Sequence, residues 1–462
     1  VSADRDRKPE PYGLSGTTMP DMDMLNGFKL WTSYPNRTQN VAMRSFMSND
    51  AIRANWWGGY MHSRRLGDRP IWDLLFKGGV NGSYYWSHGA EGIMSAERSY
   101  AEFFLDGQFS SMEEIHHRIG PLLRGSRVAA TGFGTYYSKM NEHIHSLDVR
   151  FGTPGASRDA VISFSEKLGI PVWLHSDRSM TEQESLKRRN TRILFLGQAE
   201  AMPGKLRKEL EAWVEKGGTL VADVRTATRN DRGAPNGSGA MDAFFGIEQG
   251  ADGEQRELAF PLPGHPDLVV ENMIVDASVK ATSGTPEATV DGVPILIRKQ
   301  HGKGRTICLN LALGRLLNNY ADEPAVRAFM RKLLGAAGVD IGVETPQDYL
   351  VTQFDGQGYG LLACRIRGRA KPGEIVKLGR SYHAYALRGE VGYIGEVDQL
   401  TPSKHGGKES LFTLTRQPIG SFTVKGPATV TPGEVAGVDI TPETGETLAD
   451  ARRLFRVRVL RP

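Results

Sequence analysis

The sequence has few of the features that mark disulfide-rich, metal-binding, membrane or nucleic-acid-binding proteins. Its 462 residues include two cysteines, Cys308 and Cys364, which excludes a disulfide scaffold and a cysteine zinc cluster. No stretch approaches the roughly 20 continuous apolar residues that a membrane-spanning helix needs. A net charge of +4 is too small to indicate a surface that binds nucleic acid. The sequence therefore predicts neither a membrane nor a nucleic acid as partner, and neither a metal nor a cofactor.

The cysteine content and the chain ends bear on location and length. Two cysteines leave the compartment open, and a periplasmic or secreted location is favoured over a cytoplasmic one. The sequence starts at Val1 without a methionine and stops at Pro462 directly after a strand-like run. A β module that ended there would keep an unpaired edge. We therefore expect the sequence to be part of a longer polypeptide.

What the sequence does have, in its first 124 residues, is aromatic side chains and an alternating pattern of strands and helices. Five of the seven tryptophans of the chain lie there, namely Trp31, Trp56, Trp57, Trp72 and Trp86. Strand-like runs occur at 12–17, 28–35, 52–57 and 82–87, with helix-like stretches at 41–47 and 69–76. This alternation predicts parallel βα units. Four strands are too few to close an eight-stranded barrel.

The rest of the chain divides into an α/β part and a β-rich part. Residues 172–175 and 193–197 are continuous apolar runs typical of a buried parallel sheet. We expect a further strand at 127–131, a helix at 203–216 and a hairpin built from 294–298 and 305–309. Beyond residue 344 short alternating runs replace helix periodicity, and an Ig-like opening follows Pro418.

Several of these segments resemble the family 42 β-galactosidases and their relatives. The strand that ends Ser33-Tyr34-Pro35 is similar to a barrel strand of that family, and the run 82–87 is similar to its last barrel strand. The segment 211–223 is close to the helix, Gly-Gly, strand signature of that family's amidotransferase-like domain.

The resemblance implies an α/β protein in four parts. Residues 1–124 would be the C-terminal part of a (β/α)₈ barrel, and residues 125–343 a flavodoxin- or amidotransferase-like α/β domain. Residues 344–418 would form a β-rich domain of the β-sandwich type, and 419–462 the start of an Ig-like domain. The resemblance also implies a carbohydrate substrate and a homo-oligomer, with a trimer as one candidate, assembled through the amidotransferase-like domain.

Retaining glycosidases need two carboxylates about 5–5.5 Å apart. The family places the acid/base carboxylate on the fourth barrel strand, and we expect this sequence to start near the fifth. It places the nucleophile at the end of the seventh strand. If the seventh strand is 52–57, its end reads Trp56-Trp57-Gly58-Gly59-Tyr60 and has no carboxylate. If the strand is instead 41–48, Asp50 stands at its end. We favour the first register, because 41–47 fits a helix at least as well.

Other carboxylates follow predicted strands, where the working residues of such barrels lie. The candidate catalytic residues are Asp50, Asp21, Asp23 and Glu91. For each of them the plainer interpretation is an acidic side chain in a solvated loop.

Aromatic residues give a stronger indication of a sugar site than the acids do. Sugar rings present flat C–H faces that stack on Trp and Tyr, and their hydroxyls need polar partners. The candidate substrate-binding residues near strand ends are Trp57, Tyr60, Trp86, His88 and Tyr34. The alternative is that some of these aromatics fill the barrel core, since adjacent strand residues point to opposite faces.

The sequence favours a glycoside hydrolase related to β-galactosidases that acts on an oligo- or polysaccharide. The alternative is a non-catalytic carbohydrate-binding or scaffold relative that has lost the catalytic carboxylates. Amidotransferase chemistry is excluded, because it needs a cysteine nucleophile on a strand-to-helix turn. The corresponding turn reads Leu196-Gly197-Gln198-Ala199, and Cys308 falls inside a predicted strand.

Overall fold

A computed structural model describes most of the chain from residue 119 to residue 420 and shorter segments on either side. The described residues are 12–14, 21–33, 36–58, 72, 75–78, 80, 82–86, 114–115, 119–144, 149–356, 358–366, 373–390, 392–405, 407–420, 422–427, 429, 437 and 439–442. Only the backbone is described at 12–14, 56–58, 82–86, 124, 422, 424 and 440–442.

The N-terminal part contains one sheet of four parallel strands. In spatial and chain order these are β1 (Tyr12–Leu14), β2 (Leu30–Ser33), β3 (Ile52–Gly58) and β4 (Gly82–Trp86). A 3₁₀ helix (Met22–Gly27) and helix α1 (Arg37–Phe46) connect the first three strands. The Asn36 side chain caps α1 by accepting the backbone N–H of Gln39 at 3.1 Å. The preferred strand register is therefore confirmed, and 41–46 is helical.

The central part is a seven-stranded mixed sheet with helices on both faces. Its strands, in chain order, are β6 (Phe133–Tyr137), β7 (Val172–Ser176), β8 (Ile193–Phe195), β9 (Thr219–Ala222), β14 (Thr285–Val290), β15 (Val293–His301) and β16 (Gly304–Leu309), in the spatial order 14-15-16-9-8-6-7. Strands β6 to β9 and β16 run parallel, and β14 and β15 add antiparallel pairs. The expected apolar strands and the hairpin are confirmed.

The helices of the central part cover the sheet in two layers. They are α3 (Lys139–Ile144), α4 (Pro154–Leu168), α5 (Asp177–Gln183), α6 (Ser185–Arg188), α7 (Gly204–Glu215), α8 (Asp242–Phe245), α9 (Leu313–Asn319) and α10 (Pro324–Ala336). Helices α4, α9 and α10 share one hydrophobic core with the sheet, and α5 to α8 share the other. An antiparallel hairpin, β11 (Gln255–Leu262) and β12 (His265–Asp276), packs beside α9 and α10, and a small pair joins β10 (Ile247–Glu248) to β13 (Lys280–Ala281). Among the described residues, no helix is long and apolar enough to cross a membrane.

The third part is β-rich, as expected. Strands β17 (Tyr349–Asp355), β18 (Gly360–Ile366), β19 (Val376–Ala386), β20 (Gly392–Leu400) and β21 (Glu409–Thr415) form an antiparallel sheet. Its sixth strand is β5 (Arg127–Val128), which follows helix α2 (Gly120–Gly125) and pairs with β17. A two-stranded pair, β22 (Phe422–Lys425) with β23 (Asp439–Pro442), lies beyond it.

The pairing of β5 corrects one expectation. The strand predicted at 127–131 covers two residues and lies in the third sheet, not in the central parallel sheet. Phe133–Tyr137 takes the place in the central sheet that the sequence pattern gave to 127–131. The pairing of β5 with β17 also links the predicted second and third domains, whose boundaries stay a prediction.

Arg44 ties the N-terminal part to the central sheet. Its side chain is buried and donates to the backbone carbonyl of Gly78 at 2.7 Å and to that of Val172 on β7. The guanidinium carbon lies 5.5 Å from the centre of the Trp173 ring, and the Arg189 guanidinium lies 3.9 Å from the same ring. One buried cation thus joins α1, the segment before β4 and the central sheet.

We expect Arg44→Met to lower the free energy of unfolding by about 2–4 kcal/mol, because it leaves buried carbonyl groups without donors. Because methionine keeps much of the apolar stem, the loss of stability measures the contribution of the guanidinium and not the cost of an empty cavity. Urea unfolding followed by tryptophan fluorescence measures the change. The control is Lys187→Met, whose side chain is 83% exposed and whose loss should cost less than about 0.5 kcal/mol. Equal losses of stability in the two variants would contradict the role of Arg44 in linking the N-terminal part to the central sheet.

Candidate functional site

The predicted sugar site lies at the carboxyl ends of β3 and β4. Trp57 is the penultimate residue of β3 and Trp86 is the last residue of β4. In the parallel register Trp57 pairs with Tyr85, and Gly58 pairs with Trp86. The two tryptophan backbones therefore end their strands at the same edge of the sheet, where βα barrels place their active sites.

The other predicted members of that site fall outside the described residues. They are Tyr34, Tyr60, His88 and Glu91. Their roles stay predictions, as do those of Trp57 and Trp86.

Asp50 lies at the opposite edge of the sheet from the predicted site. It precedes β3, and its side chain is 72% exposed and 2.9 Å from the Lys29 ammonium. Hydrogen bonds from Ser48 and Lys29 lower the pKa of Asp50 to about 2. The register that would place Asp50 at the carboxyl end of a strand is wrong, because residues 37–46 form a helix. The position of Asp50 therefore does not support a catalytic role.

Asp21 and Asp23 face the central domain. Asp21 begins the 3₁₀ helix, accepts the backbone N–H of Asp23 at 3.0 Å and lies 3.4 Å from the Lys139 ammonium. Asp23 accepts a hydrogen bond from the hydroxyl of Ser176, the last residue of β7. Both carboxylates therefore contribute to the junction between the N-terminal and central parts.

Asp23 belongs to a cluster of polar groups at the carboxyl ends of β6 and β7. Asp177 accepts hydrogen bonds there from the Tyr136 hydroxyl and, at 3.4 Å, from the Ser138 hydroxyl. Burial raises the pKa of Asp177 to about 6, and Asp23 adds to the increase by repulsion. Burial also raises the pKa of Asp23. Asp177 therefore takes up a proton at mildly acidic pH.

This cluster was missed in the sequence analysis. Asp177 was not among the candidate acids. The available signal was an acid directly after a buried parallel strand, since the ends of such strands meet at one edge. What the sequence could not show was that Asp23, more than 150 positions earlier, approaches the same edge.

The turn after β8 has the geometry of a strand-to-helix elbow with glutamine at its tip. Gln198 has φ = +43°, a left-handed conformation that is uncommon for a residue with a side chain. Its backbone N–H donates to Asp223 at 2.5 Å, and its side-chain amide donates to the carbonyl of Phe151. Ser157 donates to the other Asp223 oxygen at 3.1 Å. The elbow is therefore held by buried hydrogen bonds, and the Gln198 amide at its tip is buried.

Cys308 lies away from this turn, within β16 and buried. Burial raises the pKa of its thiol, which keeps the sulfur protonated. In the part of the chain that the structure describes, no three His, Cys, Asp or Glu side chains are grouped as metal ligands.

Comparisons with known proteins find a likeness in structure alone. No family model matches the sequence, and no curated protein matches it. The structure is similar to a β-galactosidase from Bacillus circulans sp. alkalophilus, with a TM-score of 0.64 and 13% identity over 85% of this chain and 61% of that one. It is also similar to a catalytic mutant of a family 42 β-galactosidase from G. stearothermophilus (TM-score 0.60, 14% identity, 86% and 61%).

A third similar structure is the β-galactosidase of the Antarctic haloarchaeon Halorubrum lacusprofundi, with a TM-score of 0.56 and 14% identity over 87% of this chain and 63% of that one. The chain thus spans less than two thirds of the length of each of these enzymes. The fold is a mixed α/β fold of the kind found in family 42 β-galactosidases, which confirms the α/β fold class that the sequence predicted.

We expect the free energy of unfolding to depend on the ionisation of Asp177. Its pKa is about 6 in the folded protein and close to 4 in an unfolded chain. Between these values the folded state binds more protons than the unfolded state, so stability falls as the pH rises from about 4 to 6. Asp177→Asn should remove on the order of 2 kcal/mol of this pH dependence, measured by urea unfolding at a series of pH values.

The matched control is Ser138→Ala, which removes one hydrogen-bond donor to Asp177 and keeps the carboxyl group. Because the Ser138 hydroxyl lowers the pKa of Asp177, this variant should lose stability and keep a pH dependence at least as steep as that of the wild type. A slope unchanged in Asp177→Asn would show that the carboxyl group does not titrate in this window.

Proposed function

We propose that this protein is a glycoside hydrolase related to β-galactosidases and that it cleaves a glycosidic bond in an oligo- or polysaccharide. The supporting observation is the likeness in fold to β-galactosidases over more than four fifths of the chain. Because a fold can host several functions, the reaction class rests on this analogy together with the residues at the strand ends.

The sugar site of this proposal lies at the carboxyl ends of the parallel strands. Trp57 and Trp86 end neighbouring strands there, and Tyr34, Tyr60 and His88 follow strands in the sequence. Aromatic rings would stack on the C–H faces of a sugar, and the histidine would bond its hydroxyls. A largely apolar site with a few polar groups is typical of small-molecule recognition.

Among the four candidate acids, Glu91 fits the proposal best. It follows the end of β4 by five positions, whereas Asp50 precedes its strand and Asp23 faces the central domain. No Asp or Glu occurs between Asp50 and Asp68, so the end of β3 offers no carboxylate. The second carboxylate that hydrolysis requires is assigned by the family resemblance to a fourth barrel strand.

The proposal has two structural parts beyond the described strands. The four parallel strands would belong to a complete (β/α)₈ barrel, and the central domain would be an amidotransferase-like unit that assembles homo-oligomers, with trimers as one candidate. The supporting feature is the doubly covered parallel sheet, with α4 and α10 on one face and α7 on the other.

The competing function is carbohydrate binding without hydrolysis. The observation that favours it is the run 51–67, which holds Trp56 and Trp57 and contains no acid. A protein of this kind would bind the sugar through its aromatic residues and release it unchanged.

We expect Glu91→Gln to lower kcat/KM on an aryl β-galactoside by about 10²–10⁴-fold, because hydrolysis needs a second carboxylate, as base or nucleophile, beside the acid/base of the fourth strand. The control is Asp50→Asn, which removes an exposed carboxylate at the other edge of the sheet and should leave the rate unchanged. Release of the aryl group from the protein in its full natural length measures both variants. The assignment of Glu91 fails if the Glu91→Gln variant keeps the wild-type rate.

We expect Trp57→Ala and Trp86→Ala each to weaken sugar binding by about tenfold or more, since burying an aromatic ring contributes on the order of 1–2 kcal/mol. Titration calorimetry with galactose and a galacto-oligosaccharide measures this effect without turnover. Trp213→Ala is the control, because Trp213 packs in the second core of the central domain. Binding by the wild type without hydrolysis of any aryl glycoside would favour the competing function, and absence of binding would contradict both.

A further inference from the structure

A cleft opens at the amino-terminal edge of the central sheet, away from the carboxyl ends where the elbow and the acidic cluster lie. Thr219, the first residue of β9, and Arg305, near the start of β16, form one wall. Helix α10 and the turn between β11 and β12, around Gly264, form the others. The cleft has a volume of about 170 Å³. Several water molecules occupy this volume in liquid water, so the cleft has room for one small ring.

The floor of the cleft is apolar. Leu296 and Ile307 rise from the sheet, while Phe329 and Leu333 descend from α10. These four side chains are buried in the main core, with relative exposures between 2% and 6%. A ligand that covered this floor would therefore gain most if one of its faces were apolar.

The rim of the cleft carries an excess of positive charge. Arg298, Arg305 and Lys332 line it, and the acid among the lining residues is Glu287, which lies 3.1 Å from Arg298. Arg305 donates to the carbonyl of Ala336 at the end of α10 at 3.2 Å, and its buried Nε has no partner. Across the described parts of the chain, neither Arg305 nor Lys332 has a carboxylate within ion-pair distance.

We propose that this cleft binds a small organic anion, a single ring that carries a carboxylate, of the kind found in uronic acids. The carboxylate would lie between Arg305 and Lys332, and one face of the ring would cover Leu296 and Phe329. A bare inorganic anion would leave the floor uncovered, and a neutral sugar would leave the two cations without a counter-charge. Charge-assisted hydrogen bonds to arginine give such sites their strength. This proposal does not depend on the proposed hydrolase activity.

The test is titration of the protein with galacturonate, galactose, benzoate and inorganic sulfate by calorimetry at low salt, with methyl spectra that report Ile307. We expect galacturonate to bind saturably and to shift the Ile307 methyl signal, while galactose does not shift it. Lys332→Glu should weaken galacturonate binding about tenfold or more, because it replaces a charged donor with a repelling carboxylate. Lys332→Arg should keep most of the affinity.

The control is Lys208→Glu, which makes the same charge change on the exposed face of α7, outside the cleft. The control should leave galacturonate binding and the Ile307 signal unchanged. Because Lys332 and Lys208 are both exposed, both variants should fold. Benzoate binding better than galacturonate would assign the ring to an aromatic acid. The proposal is overturned if sulfate binds as tightly as either organic anion, if no anion shifts Ile307, or if Lys332→Glu binds like the wild type.

Discussion

The arrangement of the parts depends on Arg44, a buried cation that forms no ion pair with a carboxylate among the described residues. Burial lowers the pKa of Arg44 to about 10, so its guanidinium remains charged at neutral pH. Backbone carbonyls of Gly78 and Val172 compensate the charge, and the ring of Trp173 lies beside it. Such a cation is tolerated only while every acceptor stays in place. The N-terminal sheet and the central sheet are therefore held in one relative position.

Further polar contacts cross this junction, beside the apolar core that the 3₁₀ helix, β2 and α1 share with the central sheet. Arg37 pairs with Glu166 at 2.9 Å, and the Thr38 hydroxyl donates to Asp159 at 2.8 Å. Asp23 adds its hydrogen bond from Ser176. Apolar contact brings the two parts together without fixing one direction, because the hydrophobic effect is non-directional. Here the polar groups have directional partners, so the junction fixes orientation as well as proximity, and the acidic cluster at β6 and β7 is a consequence of that orientation.

The sequence predicted the elements whose signal is local and missed those that depend on distant partners. Residues 172–175 and 193–195 are strands because buried parallel strands consist of consecutive apolar residues. The two-residue strand at Arg127 has no such pattern, and its place is set by β17, more than 200 positions later. Among the candidate acids, periodicity was sufficient to choose between the two registers for Asp50. It gave no information on Asp23, whose partners come from the central domain.

The two edges of the parallel sheets have different chemistry. At the carboxyl ends of β6 to β9, the elbow at Gln198 and the pair Asp23 and Asp177 fill the space with buried hydrogen bonds. At the amino ends the cleft beside Arg305 stays open, and within the described parts of the chain Arg305 and Lys332 there have no acidic partner. Buried polar groups that are satisfied internally have little left to offer a ligand, whereas unpaired charges in an apolar cleft do. In the central domain, the edge that such α/β folds commonly use for binding therefore holds groups that mostly bond to one another, whereas the opposite edge offers cations beside an apolar floor and is the better suited to an anionic ligand.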